Sequence, residues 1–174
     1  MKRLVSAALF VLGGAALFGA AGSAGADGHG HPSFVRAWLT GFEETPLTLS
    51  SPGRGFFRAI VDEDAGTIQY SLTYDGVANV AQSHLHLGAH HTTGGISVFL
   101  CSNLGNGPAG TQVCPQSPGQ ISGTIHKVDV IGPTAQGIAP GEFAELLTAI
   151  RNKAVYVNVH SQQFPGGEIR GQLL

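Results

Sequence analysis

The clearest indication of fold class in this chain is the segment Thr67-Ile68-Gln69-Tyr70-Ser71-Leu72-Thr73-Tyr74. Larger apolar side chains alternate in it with polar ones at a period of two, as in a strand with one buried face. An acidic turn at 62–66 precedes the segment, and Asp75-Gly76 follows it. The pattern therefore predicts a strand in a sheet that covers an apolar core.

Segments of the same kind lie on both sides of this strand. They are rich in strand-forming residues, are separated by glycine-containing turns, and cover 33–40, 55–61, 81–87, 96–100, 119–128, 155–160 and 168–174. Such a series predicts an all-β fold, a Greek-key-like β-sandwich or barrel. A chain of 174 residues is too short for two ordinary domains but long enough for one core.

One segment, about 142–151, has a helical period instead. Its apolar residues Phe143, Leu146, Leu147 and Ile150 are spaced as one stripe along a helix. Acidic residues near its start and basic residues near its end have the order that suits the helix dipole. We therefore expect one short α-helix that packs on the sheet as a structural cover.

The first 26 residues predict a targeting signal outside the folded domain. Lys2 and Arg3 precede a long apolar run that ends in the small residues Ala24-Gly25-Ala26. This order is typical of a secretory signal peptide cleaved after residue 26, and an uncleaved membrane anchor is the alternative. We expect residues 27–32 to form a flexible tail, residues 33–174 to form a single domain, and the protein to be periplasmic or extracellular.

The composition narrows the classes of partner. The full chain has 9 Lys+Arg against 11 Asp+Glu, which gives a net charge of -2, whereas a nucleic-acid-binding protein needs a basic face. No second hydrophobic stretch of spanning length follows the signal segment. We expect no nucleic-acid partner and no membrane span after signal removal. Another exported protein stays open as a partner.

The two cysteines, Cys101 and Cys114, bracket an uncharged loop that contains several glycines. In an exported protein such a pair favours a disulfide. Closing a loop of this size would stabilise the fold by about 3 kcal/mol in the chain-entropy model. A thiolate metal site is the alternative, although the spacing is not that of a metal knuckle. The sequence therefore predicts a disulfide.

Histidine is the main source of candidate site chemistry, with eight residues. His84 and His86 are two apart on a predicted strand and project from one face. His160 ends another strand, and His90 and His91, in a glycine-flanked loop, are candidates for a fourth position. Imidazole ligands suit Cu(II), Zn(II) or Ni(II), of which copper binds most tightly. We expect a metal site with copper, zinc being the second choice, and a hydrogen-bonded histidine pair is the alternative.

The other histidines are weaker candidates. His29 and His31 lie in the predicted tail, where no fixed geometry would make them selective, and His126 precedes a lysine and resembles a surface residue. No nucleophile motif or phosphate-binding loop occurs in the chain. We therefore assign no catalytic residue.

The C-terminal segment 154–173, AVYVNVHSQQFPGGEIRGQL, closely resembles the ending of the CHRD domain, a repeat named after chordin and widespread in exported bacterial proteins. The segment Leu39-Thr40-Gly41 with Glu43-Glu44-Thr45-Pro46 resembles the opening of that domain. His84-Leu85-His86-Leu87-Gly88 resembles its histidine-containing segment. The resemblance extends over about 33–174, essentially the whole mature chain. The sequence departs from the usual pattern of the family at His90, at His91 and in the cysteine-bracketed loop.

The physical chemistry of the C-terminal motif is also readable directly. Gly166 and Gly167 follow a proline and predict a tight turn. Glu168 and Arg170 then project from one strand face, where they would form a structural ion pair with each other or with neighbouring strands. We assign these four residues a structural role.

The family's arrangement distantly resembles Cu/Zn superoxide dismutase, which implies copper ligands at His84, His86 and His160 only. We expect an exported CHRD-domain protein that binds or handles a metal ion, first of all copper, without turnover. A structural or protein-interaction module without metal is one alternative. A dismutase-like redox enzyme is another, and it would need an open coordination position and a channel.

Overall fold

A computed structural model describes residues 33–174. The predicted signal segment 1–26 and tail 27–32, with His29 and His31, lie outside the described residues. Within 33–174 the chain forms eight strands and one α-helix. They are β1 (Ser33–Thr40), β2 (Arg54–Asp62), β3 (Thr67–Asp75), β4 (Val80–Leu87), β5 (Ile96–Ser102), β6 (Gly119–Ile125), α1 (Phe143–Arg151), β7 (Val155–Ser161) and β8 (Ile169–Gln172).

The strands form a single antiparallel sheet in the order β5-β4-β7-β8-β1-β2-β3-β6. The two edge strands, β5 and β6, approach each other, so that the sheet is a nearly closed barrel. The all-β prediction is confirmed. No helix of residues 33–174 has the length and apolar character needed to cross a membrane.

The alternating segment 67–74 forms β3, and its pattern matches the burial of its side chains. Ile68, Leu72 and Tyr74 are buried in the core, while Gln69 and Thr73 on the other face are exposed. Burying one such aliphatic side chain stabilises the fold by about 1.5–3 kcal/mol. The period of two in this segment therefore correctly predicts which of its side chains face the core.

The predicted strand 119–128 is too long, because β6 ends at Ile125. The backbone N–H of His126 donates to the Asp129 carboxylate at 2.7 Å. This contact starts a 3-10 turn at Lys127–Asp129, which competes with strand pairing. The other predicted strands differ from the structure by a few residues at their ends.

The predicted helix is confirmed as α1 (Phe143–Arg151). The four apolar residues of its stripe are buried against the core. At its C-terminal end Arg151 contacts the Glu63 carboxylate at 2.5 Å, which joins the helix to the turn between β2 and β3. The helix is a structural cover, as its amphipathic pattern indicates.

The disulfide between Cys101 and Cys114 is also confirmed. Both residues are buried, the first in β5 and the second before β6. The Asn103 side chain donates to the carbonyls of Val80 and Cys114 and accepts from the Cys114 N–H, all at 2.8–3.0 Å. The bracketed loop is therefore tied to the barrel by hydrogen bonds as well as by the covalent bridge.

Strands β4, β7 and β8 are buried on both faces, unlike the half-exposed strands on the other side of the barrel. Their inner face carries core residues such as Leu85 and Val157. Their outer face is covered by the connections 41–53, 88–95 and 162–168, from which contacts reach the strands. This covered outer face is where polar side chains gather.

Candidate metal centre

Three histidines meet on the covered outer face. His84 and His86 come from β4, and His160 comes from its neighbour β7. One ring nitrogen of each lies within 4.8 Å of the others. The antiparallel register explains the meeting, because Gln82 pairs with His160 and His84 with Asn158. His160 is thus the diagonal neighbour of His84 on the same face.

Hydrogen bonds fix the orientation of two of these rings. The Nδ1 atom of His86 lies 2.9 Å from the Gly94 carbonyl, and Nδ1 of His160 lies 2.9 Å from the Pro165 carbonyl. Because a carbonyl only accepts, each Nδ1 carries the proton in the neutral ring, and the lone pair is on Nε2. Histidines that bind metals are commonly oriented by such a backbone carbonyl.

Ser97 and Gln172 each hold one buried side-chain atom without a hydrogen-bond partner, and the other four such atoms of residues 33–174 lie at or beside the cluster. They include Nε2 of His84, Nε2 of His86 and Oδ1 of Asn158, which all lie on β4 and β7. Glu44, in the connection that covers the strands, adds the unpartnered Oε1. Leaving a buried polar atom unsatisfied costs about 1–3 kcal/mol. The face therefore carries donor atoms that the protein itself does not use.

One pair of nitrogens in the cluster already has the spacing that a bound transition-metal ion needs. Nδ1 of His84 and Nε2 of His160 are 3.1 Å apart. Two nitrogens that bind one ion at about 2.0–2.1 Å each would have this separation at an angle of about 100°. Nε2 of His86 is the third imidazole nitrogen, and the three lie within 4.8 Å of one another. To bind one ion the rings would close slightly, and neutral His84 would carry its proton on Nε2 instead of Nδ1. A set of three imidazoles suits copper or zinc.

Burial keeps these histidines neutral. Burial first of all, followed by the charges of His160 and His86, lowers the pKa of His84 to about 2. Burial, followed by the charge of His86, lowers the pKa of His160 to about 4. The pKa of His86 is lowered as well, chiefly by burial. Neutral imidazole is the form that binds a metal ion, so no proton has to leave at neutral pH.

Aromatic rings hold the cluster from the side. The Tyr156 ring stacks on His86 with centroids 4.8 Å apart and planes 3° from parallel. The Arg170 guanidinium lies 3.5 Å from the Tyr156 centroid. Phe99 packs against His84 at 4.4 Å in an edge-to-face arrangement. The imidazoles therefore have little freedom to rotate.

The predicted ion pair between Glu168 and Arg170 requires a correction. Glu168 accepts a hydrogen bond from the Ser51 hydroxyl at 2.6 Å, while Arg170 donates to the Thr45 hydroxyl and the Ala89 carbonyl. Neither takes part in a salt bridge among the described residues. Both reach toward the covering connections, which draws their side chains away from each other.

Among the carboxyl groups near Arg170, that of Glu44 interacts most strongly with the guanidinium charge, followed by that of Glu43. Burial raises the pKa of Glu44 to about 7, and Arg170 limits this rise. The turn predicted at Gly166 and Gly167 gives Glu44 its room. Gly167 has φ +128°, and a Cβ atom there would lie 2.6 Å from Oε1 of Glu44. The glycine is therefore needed both for the turn and for the buried carboxyl group.

The remaining candidate histidines lie apart from the cluster. His90 and His91 are exposed in the loop after β4, with their ring centroids 4.3 Å apart. His90 Nε2 lies 3.7 Å from the Glu43 carboxylate. His126 is exposed at the end of β6. In this structure none of the three is part of the group formed by His84, His86 and His160.

The sequence pattern did not assign the residues around the cluster to the site. Tyr156 and Asn158 alternate with the valines of β7 and share a face with His160, as the period of two predicts, but that pattern alone does not mark them as neighbours of the histidines. Glu44 carries no such signal, because its position depends on how the 41–53 connection lies over the sheet. Only the fold brings it to the site.

A nearly closed antiparallel barrel with a buried group of three imidazoles on its outer face is a small β-domain with a candidate metal centre. The chain belongs to the CHRD domain family, whose model matches residues 35–173. The match confirms the resemblance carried by the C-terminal motif and the two upstream segments. No curated protein and no solved structure matches the chain.

Proposed function

We propose that this CHRD domain belongs to an exported protein and binds one transition-metal ion through His84, His86 and His160. The proposed role is to hold or hand on the ion without catalysing a reaction. Copper is the first choice, since sites made only of imidazole bind it most tightly among the divalent ions, and zinc is the second. The proposal rests above all on three buried, neutral imidazoles that converge within 4.8 Å.

The unpartnered nitrogen of His86 favours a metal over a purely structural role. In a structural role, the only hydrogen bond within the cluster joins His84 and His160. The Asn158 side chain lies beside His86, but its Oδ1 cannot donate to the lone pair on Nε2, and both atoms are left without a partner. Burying that lone pair without a ligand costs about 1–3 kcal/mol. Metal binding would use it, and the carbonyl of Gly94 already directs the proton to the other ring nitrogen.

The enclosure of the cluster favours binding over turnover. His84, His86 and His160 are 0, 6 and 5% exposed. A catalytic metal site keeps a coordination position open for water or substrate. Three loops cover these ligands instead, which suits a site that retains its ion.

Titration with Cu(II) and Zn(II) tests the proposal. Both arms carry His29→Ala and His31→Ala, so that the tail cannot bind the ion, and the test arm adds His84→Ala and His86→Ala. The matched control adds His90→Ala and His91→Ala, which removes two histidines of the exposed loop. The parent protein carries only the two tail substitutions. Calorimetry with a competing chelator should find one ion per chain in the parent and in the control. The affinity for the ion should be at least about 100-fold weaker in the test arm.

Circular dichroism and thermal denaturation establish that each variant is folded. Equal affinity in the parent and in the cluster variant would overturn the proposal. The proposal would also be overturned if the parent bound the ion no more tightly than a peptide with the sequence of residues 27–32 does. Either result would leave the domain as a structural or protein-interaction module.

A further inference from the structure

A second polar and aromatic surface lies on the exposed outer face of β1 and β2, away from the histidines. We call it the aromatic-arginine face and define it by Phe34, Arg36, Trp38, Phe56 and Arg58. Phe34 and Trp38 are 77% and 70% exposed, which is unusual for such large apolar side chains on one strand. The register pairs Arg36 with Arg58 and Trp38 with Phe56, so the face consists of ordered rows.

The two arginines form an unneutralised positive centre. They lie directly opposite each other, where like charges destabilise a sheet. Among residues 33–174 neither guanidinium forms a salt bridge or a side-chain hydrogen bond. Arg54, on the same face of β2, is in contrast neutralised by Asp75 at 3.3 Å. The pair at Arg36 and Arg58 is therefore suited to an anionic ligand.

The aromatic residues provide flat surfaces next to that charge. Trp38 and Phe56 lie 4.4 Å apart between ring centroids. They form a ridge between two depressions of about 810 and 590 Å³. Phe34 lies on the far side of the arginine row, about 13 Å along the strand from Trp38. An extended ligand could therefore contact a ring at each end and the arginines between them.

We propose that the aromatic-arginine face binds an acidic polysaccharide built of uronic acid units. Carboxylates of the polymer pair with Arg36 and Arg58, and the C–H faces of its sugar rings pack on Trp38 and Phe56. The ligand then supplies the negative charge that the sheet lacks at this row. This site is independent of the histidine cluster and does not rest on metal binding.

Two other occupants fit the same face less well. A nucleic acid carries a charge on every nucleotide, and its binding draws on many cations, whereas this chain has a net charge of -2 and Glu43 lines the larger depression. A symmetric dimer through this face would bring the arginine pair of one copy against that of the other. A uronate polymer also carries one negative charge per ring, but a stretch of a few rings needs only the arginine pair, and its uncharged ring faces pack on the aromatic residues.

Calorimetry with a hexamer of galacturonic acid tests the proposal on the full chain. Arg36→Gln/Arg58→Gln and Trp38→Ala should each weaken binding at least about tenfold. The matched controls are Arg54→Gln, an arginine of the same face, and Phe42→Ala, an aromatic side chain that is 67% exposed. Both controls should bind as the unmodified chain does. A neutral glucose hexamer should bind at least about tenfold more weakly than the acidic one.

Thermal denaturation shows that the variants keep their fold, and light scattering gives the oligomeric state. The proposal is overturned if the unmodified chain does not bind the acidic hexamer or binds the neutral hexamer equally well. It is also overturned if the arginine variant binds like Arg54→Gln, or if a single-stranded oligonucleotide binds more tightly than the sugar. A dimer that the arginine substitutions strengthen would assign the face to a second copy instead.

Discussion

Mild acid should destabilise the metal-free protein, because its cluster histidines are buried in the neutral form. Burial lowers the pKa of His84 to about 2 and that of His160 to about 4, from an ordinary value of 6.5. As the pH falls, the unfolded chain therefore takes up these protons before the folded protein does. The stability that depends on the neutral rings is fully present above pH 6.5, and it is lost as the pH falls toward the folded-state pKa values.

The expected loss is large. Each pKa unit corresponds to about 1.4 kcal/mol, and at pH 6.5 the unfolded histidines are already half protonated, so between pH 6.5 and pH 5 each of the two histidines lowers the free energy of unfolding by about 1.6 kcal/mol. Together they account for about 3 kcal/mol, against about 5–15 kcal/mol for a typical domain. Glu44 acts in the opposite direction, because its raised pKa of about 7 means that the folded protein takes up that proton first. Its offset of about 2 kcal/mol is common to all the variants compared.

Urea denaturation followed by circular dichroism measures this loss, with EDTA present to keep the protein free of metal. The double variant His84→Gln/His160→Gln should lose about 3 kcal/mol less than the unmodified protein between pH 6.5 and pH 5, and each single variant about 1.6 kcal/mol less. His126→Gln removes an exposed histidine and should behave as the unmodified protein does. The reasoning is refuted if the double variant and the His126→Gln control show the same dependence on pH.

Three further predictions follow from the packing of the fold and from the support of the cluster. Replacing both Cys101 and Cys114 with alanine should cost about 3 kcal/mol and lower the melting temperature by about 6–12 °C in thermal denaturation; an unchanged melting temperature would contradict this. Gly94→Ala places a Cβ atom 1.6 Å from the Leu87 carbonyl and displaces the acceptor of His86. Chelator competition should show that this variant binds the ion about 10–100-fold more weakly. The control Gly166→Ala, whose added Cβ atom meets no atom within 4 Å, should bind the ion normally. Equal affinities of the two variants would refute the role of the Gly94 carbonyl. Leu85→Ala removes a fully buried side chain and should lower the free energy of unfolding, measured by urea denaturation, by about 2–5 kcal/mol. A loss below about 1 kcal/mol would contradict this, since it would mean that the core closes around the smaller side chain.

Local patterns were sufficient to predict most of the fold. The period of two in 67–74 and the helical stripe in 143–150 each depend on a face that the segment itself defines, so both could be read without the tertiary structure. The end of β6 was misjudged, because it depends on the competing contact between His126 and Asp129. Such a contact is a matter of side-chain geometry rather than of hydropathy.

The candidate site was predictable only in its strand residues. His84 and His86 share a face by their spacing, and His160 joins them because β7 pairs with β4. The partners of Arg170 were not predictable, since they lie on connections whose paths follow from the whole fold. Burial on both faces of β7 depends on the same connections, so the depressed pKa values of the cluster have no counterpart in the sequence pattern.

The unjoined edges of the barrel give the disulfide loop a second role, protection against association between chains. Gln112, in that loop, donates to the Tyr70 hydroxyl at 2.8 Å and to the Ser122 carbonyl of β6 at 3.3 Å. The Tyr70 hydroxyl in turn donates to the Leu100 carbonyl of β5 at 3.2 Å. The loop thus bridges the seam between the two edge strands, whose exposed backbone would otherwise be a template for pairing with another chain. Reduction of the disulfide is therefore expected to release this bridge and to make the barrel prone to edge-to-edge assembly.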